Sequence, residues 1–184
     1  MRAQRRRRMM AAAAIAMMAA PAGAKPTAAN PDDVPTTRQY FDWSVSCPAM
    51  ADTLASCAMQ QEIRSTANGQ PIARLLLYRH MLYVTLPFNV LLEPGIAFDF
   101  GGPKAQPSVF PFALCGDQGC LARIAFDDGL AASFKAATAT RLLFAGLDGK
   151  PIYLPVSTQG FESALGAYQR FETQHDAAIA AGRK

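Results

Sequence analysis

The chain has 184 residues, a formal net charge of +4 and a pI near 9.0. Five of its 18 Lys and Arg are Arg2, Arg5, Arg6, Arg7 and Arg8, and no acid precedes Asp32, so the remainder carries 13 positive and 14 negative side chains. That near-neutral body, in a chain 51% hydrophobic and 17% charged, excludes general disorder and a polyanion-binding role, and its length suits one domain.

Residues 1–24 read as a secretory signal peptide. Arg5–Arg8 form the charged region, Met9–Ala20 an apolar run of 12 residues, and Ala22-Gly23-Ala24 a cleavage site. The apolar run is short of the roughly 20 residues that span a bilayer. Residues 25–38, with three prolines and no apolar periodicity, read as a flexible linker. Residues 39–176 read as a single β-rich domain and 177–184 as a frayed tail. The expectation is an exported protein, periplasmic or associated with the outer envelope and without a transmembrane span.

Within the domain, Tyr40–Cys47 alternates, with Phe41, Trp43, Val45 and Cys47 on one face. Cys57–Arg64 alternates less cleanly, and Asn68-Gly69 turns it into Ile72–Tyr78. Met81–Leu86 is the next strand, then Ile96–Phe100 after Glu93-Pro94-Gly95. Val109–Cys115 and Cys120–Phe126 make a second hairpin, and Arg141–Ala145 with Ile152–Val156 a third. Pro151 and Pro155 place that last strand at an edge. Asp128 is read as the cap of a short helix near Gly129–Ala137. Ser157 or Thr158 is read as the cap of a longer one, whose stripe Phe161, Leu165, Tyr168 and Phe171 docks on the sheet. The expected fold is mainly β: an antiparallel β-sandwich or partly closed barrel, with a short helix and a C-terminal helix packed on it.

Four cysteines follow the signal segment: Cys47, Cys57, Cys115 and Cys120. An even number in an exported chain reads as two disulfides, and of the three pairings we favour the local one, Cys47–Cys57 and Cys115–Cys120. Zinc would want C-x2-C knuckles, which the C-x9-C and C-x4-C spacings do not supply. A redox role for Cys115 and Cys120 stays open, because the ring they close is small.

Other chemistry is sparse. His80 and His175 are the only histidines, and neither stands in a metal-ligand or nucleophile-base motif. Asp127-Asp128 is explained by a helix cap, and Asp32-Asp33 by solvation in the linker. Gly101-Gly102 is too short to cradle a phosphate. No catalytic, cofactor or metal residue is assigned.

Several of these residues form one series. It runs Trp43-x-Val45-x-Cys47, then Cys57-x-Met59-x-Gln61, then Leu86-Pro87 ahead of Val90-x-Leu92-x-x-Gly95. Pro111-Phe112 follows, ahead of Cys115-x-x-x-Gly119-Cys120-x-Ala122, and Gly160-Phe161 opens the final helix. The series resembles the invasion-associated locus B family of exported bacterial proteins, from about Tyr40 to Tyr168. Asn89 departs from the pattern, standing where glycine is expected; Asn tolerates positive φ better than most residues. The resemblance implies export to the periplasm or outer envelope, and a role in host-cell invasion in some pathogens. Residue by residue it carries over only the four cysteines, as disulfide partners. The function expected is a non-enzymatic, disulfide-stabilised binding module. Its partner would be a protein or envelope component, not nucleic acid. Two alternatives stand beside it: a periplasmic thiol–disulfide or small-ligand enzyme centred on Cys115 and Cys120, and a carbohydrate-binding sandwich using aromatics such as Tyr40 or Tyr83.

Overall fold

The structure, a computed structural model, describes residues 36–48, 56–87, 89–101 and 107–182. The signal segment 1–24, most of the linker with Asp32-Asp33, Gly102, and residues 183–184 of the tail lie outside the described residues.

Eleven strands and two helices are described. In chain order they are β1 (Thr36–Tyr40), β2 (Trp43–Cys47), β3 (Ala58–Arg64), β4 (Pro71–Tyr78), β5 (Met81–Leu86) and β6 (Ile96–Asp99). Then come β7 (Ser108–Phe110), β8 (Phe112–Gly116), β9 (Gly119–Ala125), α1 (Asp128–Ala136), β10 (Thr140–Ala145), β11 (Pro151–Val156) and α2 (Phe161–Gly182). They form two antiparallel sheets, a large one ordered β1-β2-β3-β4-β5-β9-β8 and a small one ordered β11-β10-β6-β7. Neither closes into a barrel. Proline-bearing β11 is an edge strand, as its sequence requires.

The large sheet is two-faced because its strands alternate. Val45, Met59, Leu77, Leu82 and Ile124 stand opposite one another across five strands and are all buried. One residue over, Gln39, Ser44, Gln60, Leu76, Tyr83 and Arg123 form a row on the outer face. In the small sheet Leu142 pairs with Phe98 and Leu154, facing the same core.

The helices seal the core between the sheets. Phe134 of α1 meets Phe98 and Phe100 at centroid distances of 5.3 and 5.0 Å and stacks on Phe161 of α2 at 5.0 Å. Phe161 in turn meets Trp43 edge-on at 5.2 Å. Phe161, Leu165 and Tyr168 are buried against the sheet, and Phe171 is partly buried, so the aromatic stripe of α2 is a docking face.

The structure departs from the sequence reading at several places. Tyr40–Cys47 is not one strand but the hairpin β1–β2, reversed at Phe41-Asp42, where Phe41 takes φ 52°. Phe41 is therefore 75% exposed rather than aligned with Trp43 and Val45. Thr36–Arg38, read as linker, belong to β1 and pair with Val45–Cys47. Val109–Cys115 divides at Pro111, which has no N–H for a ladder, so β7 joins the small sheet and β8 the large. The cap of α1 is Asp127, whose carboxylate accepts from the Leu130 N–H, not Asp128. Neither Ser157 nor Thr158 is the first residue before α2; Gly160, at φ 80°, stands there. The helix then continues through Ala177–Gly182, expected to fray, because Ala is the best helix former.

Candidate functional site

Two disulfides are formed, Cys47–Cys57 and Cys115–Cys120, with Cα separations of 4.1 and 4.0 Å. The first joins the end of β2 to the start of β3, and the Cys57 N–H donates to the Glu172 carboxylate of α2 at 2.7 Å. The second lies at the tip of the β8–β9 hairpin, with Cys115 exposed and Cys120 buried. Gly119 sits there at φ 112°, and a Cβ on it would stand 2.0 Å from the Leu86 carbonyl oxygen. Only glycine lets the hairpin lie against β5.

The two histidines are far apart in role. His80 is exposed in the two-residue turn Arg79-His80, both at positive φ, that joins β4 to β5. His175 is buried in α2. His80, Asp127 and Asp128 do share the wall of a cavity of about 350 Å³ with Tyr168, Glu172 and Asp176. The Tyr168 hydroxyl is buried there and closes no hydrogen bond of full geometry. Burial first, then the neighbouring Glu172 charge, pushes its pKa up to about 12; the Arg79 and His80 amides face it and offset part of this. Among the described residues no cluster of His, Cys, Asp and Glu has metal-binding geometry.

A different site, which the sequence did not reveal, lies where the β1–β2 turn, β3 and the end of β11 meet. It is an open cleft of about 420 Å³ whose lining includes Gln39, Phe41, Asp42, Ser44, Gln60 and Glu62. Its floor is fixed by Gln61, a polar residue in an inward slot of β3 and only 3% exposed. The Gln61 amide accepts from the Ser157 N–H and donates to the Ser157 carbonyl, both at 3.1 Å. The Trp43 indole N–H donates to that same carbonyl at 2.8 Å. The turn is equally constrained. Gln39 donates through Nε2 to the Phe41 carbonyl, and the Ser157 hydroxyl donates to Asp42. Gly160 packs beneath, where a Cβ would stand 2.0 Å from the Tyr40 carbonyl oxygen. The exposed Phe41 ring is thus carried on a backbone held from three sides.

The cleft is polar, and its side chains are oriented by their partners. Gln60 accepts from the Arg74 guanidinium through Oε1, at 2.7 and 3.1 Å, which turns its Nε2 away. Glu62 pairs with Arg64 through one oxygen. No Lys or Arg lines the cleft among the described residues. Signals for these residues were faint: Gln61 showed only as a polar residue at an apolar strand position, and Phe41 read as core.

Fold and site together define a two-sheet β protein pinned by two local disulfides and carrying a preformed polar cleft at one corner. Residues 43–169 match the model of the family described as invasion associated locus B (IalB) protein, and the chain belongs to that family. It is 32% identical over 140 residues to the invasion protein B homologs of Brucella abortus strain 2308 and of Brucella abortus biovar 1 strain 9-941; the match spans 71% of this chain and 77% of each relative. The crystal structure of invasion associated protein B from Bartonella henselae superposes with a TM-score of 0.60 at 20% identity, over 81% of this chain and 99% of that one, and shares its fold. Among the described residues no helix is long and apolar enough to cross a membrane.

Proposed function

We propose that the chain is a non-enzymatic, exported binding module of the cell envelope and that the corner cleft holds its partner. The observation that carries this reading is the cleft itself: an exposed aromatic and a set of oriented polar side chains, all fixed by the fold before any partner arrives. Such preorganisation lowers the entropy lost on binding. Two disulfides support an oxidising destination, periplasmic or associated with the outer envelope. The signal pattern of residues 1–24 points the same way. The relatives named as invasion proteins favour a contact role, toward a host in pathogens and within the envelope otherwise.

The test is retention of the exported protein on isolated envelopes. Phe41→Ala and Gln60→Ala should release it while leaving the melting temperature unchanged. Removing both Cys115 and Cys120 should leave retention intact. Retention indifferent to the cleft variants but abolished by loss of Cys115 and Cys120 would reverse the reading toward a thiol–disulfide enzyme.

A further inference from the structure

Resting on the cleft as the binding site, we infer that its ligand is a neutral, hexose-based glycan chain lying across β1, β2 and β3. Gln39, Ser44 and Gln60 stand opposite one another in register on the outer face. Adjacent strands lie about 4.8 Å apart, comparable to the length of one sugar ring. The bonding capacity left on these side chains alternates. The Nε2 of Gln39 is engaged by the Phe41 carbonyl, which leaves its Oε1 as an acceptor. The Ser44 hydroxyl can donate and accept. The Oε1 of Gln60 is engaged by Arg74, which leaves its Nε2 as a donor. Asp42 and Glu62 each have one oxygen engaged, by Ser157 and Arg64, and present the other as an acceptor. Sugar hydroxyls need both donors and acceptors at fixed directions, and this row supplies both.

Phe41 supplies the remaining requirement. A hexose ring has an apolar C–H face that packs flat on an aromatic ring, and Phe41 is the aromatic at this cleft, 75% exposed on a rigid turn. The same row continues to Tyr83 on β5, four strand spacings from β1. The outer face therefore offers a second ring along one line. Charge narrows the class further. No Lys or Arg lines the cleft among the described residues, and the neighbouring Arg64 and Arg74 are engaged by Glu62 and Gln60, so the cleft offers no cation to pair with an anionic glycan.

The experiment is calorimetric titration of the oxidised protein with cellohexaose, maltohexaose and hexa-N-acetylchitohexaose, with heparin as the anionic comparator. At least one neutral hexasaccharide should bind with a Kd of about 1 mM or tighter, and heparin should not. Phe41→Ala and Gln60→Ala should each weaken binding by about tenfold or more, Phe41→Tyr should restore it, and Tyr153→Ala on the small sheet should change nothing. Failure of all three neutral sugars, or binding indifferent to Phe41→Ala in a protein of unchanged melting temperature, overturns the inference. If the sugars fail while Phe41→Ala still releases the protein from envelopes, the glycan is wrong and the cleft reading stands. If both fail, both are wrong.

Discussion

Gln61 and Ser157 exchange two hydrogen bonds across 96 residues of sequence, the side-chain amide of one matching the backbone of the other. A primary amide beside a peptide unit closes the same pair of bonds that a neighbouring strand would make. The large sheet and the end of β11 are thereby joined through a side chain at a point where no strand ladder runs between them. Replacing Gln61 with Leu keeps the size and removes the match, leaving the Ser157 N–H half-buried and unpaired. We expect a loss of about 1–3 kcal/mol, read in urea denaturation as a lowered midpoint at unchanged slope.

Tyr168 predicts the opposite sign. Its hydroxyl is buried with no hydrogen bond of full geometry, so Tyr168→Phe removes a desolvated polar atom and should leave stability at pH 7 equal or higher. Because its folded pKa is about 12 against 10.0 for an ordinary tyrosine, the neutral phenol is the form the fold favours. Its contribution is complete below pH 10 and is lost as pH rises from 10 through 12. Absorbance titration should show a tyrosine ionisation step near pH 12. That late step, and the alkaline fall in stability it causes, should vanish in Tyr168→Phe.

The two disulfides should differ modestly in weight. They close loops with sequence separations of 10 and 5, for which chain entropy gives about 2–3 kcal/mol each, the longer slightly more. Exchanging Cys47 and Cys57 together for Ala should thus cost at least as much as exchanging Cys115 and Cys120. The Glu172 contact to the Cys57 amide adds to the difference, because it ties the first bridge to α2. Guanidinium denaturation of the two double variants checks the order.

Gly119→Ala should be the most damaging small change in the β8–β9 hairpin. The added Cβ meets a backbone oxygen rather than a movable side chain, and φ 112° is closed to L-residues. A loss of about 3 kcal/mol or more is expected. The same substitution at Gly116, where a Cβ meets nothing, should be tolerated. Expression yield and thermal melting of the pair separate the two.

Much of the fold could be read from alternation. β3 followed from its period-two pattern, β4, β5 and β9 from the turn signals that bound them, and the docking face of α2 from the spacing of Phe161, Leu165 and Tyr168. Asn89 takes φ 77°, as its place in the family series suggested. Phe41 misled because alternation cannot show a reversal. Tyr40-Phe41-Asp42-Trp43 contains no Gly, Pro or Asn, and its turn is imposed by Gln39, Ser157 and Gly160, the last two over a hundred residues away. The same distance hid the cleft, which is assembled from a turn, a central strand and the end of an edge strand. Asp128 reads as the cap from sequence, and only the first turn of α1 shows Asp127 in that place. The division at Pro111 was signalled by its residue type, but not the change of sheet.

The indole of Trp43 waits for a carbonyl 114 residues later, and its ring packs on Phe161 just beyond. Every strand of the large sheet lies before residue 126, yet the last of the cover for its inner face, after the small sheet and α1, arrives only with α2. A chain delivered from its first residue onward therefore has its sheet in hand long before it has a core. In vectorial synthesis core closure therefore waits on the C-terminal helix, and a chain cut before Phe161 keeps every strand but leaves Trp43 without the ring that packs on it.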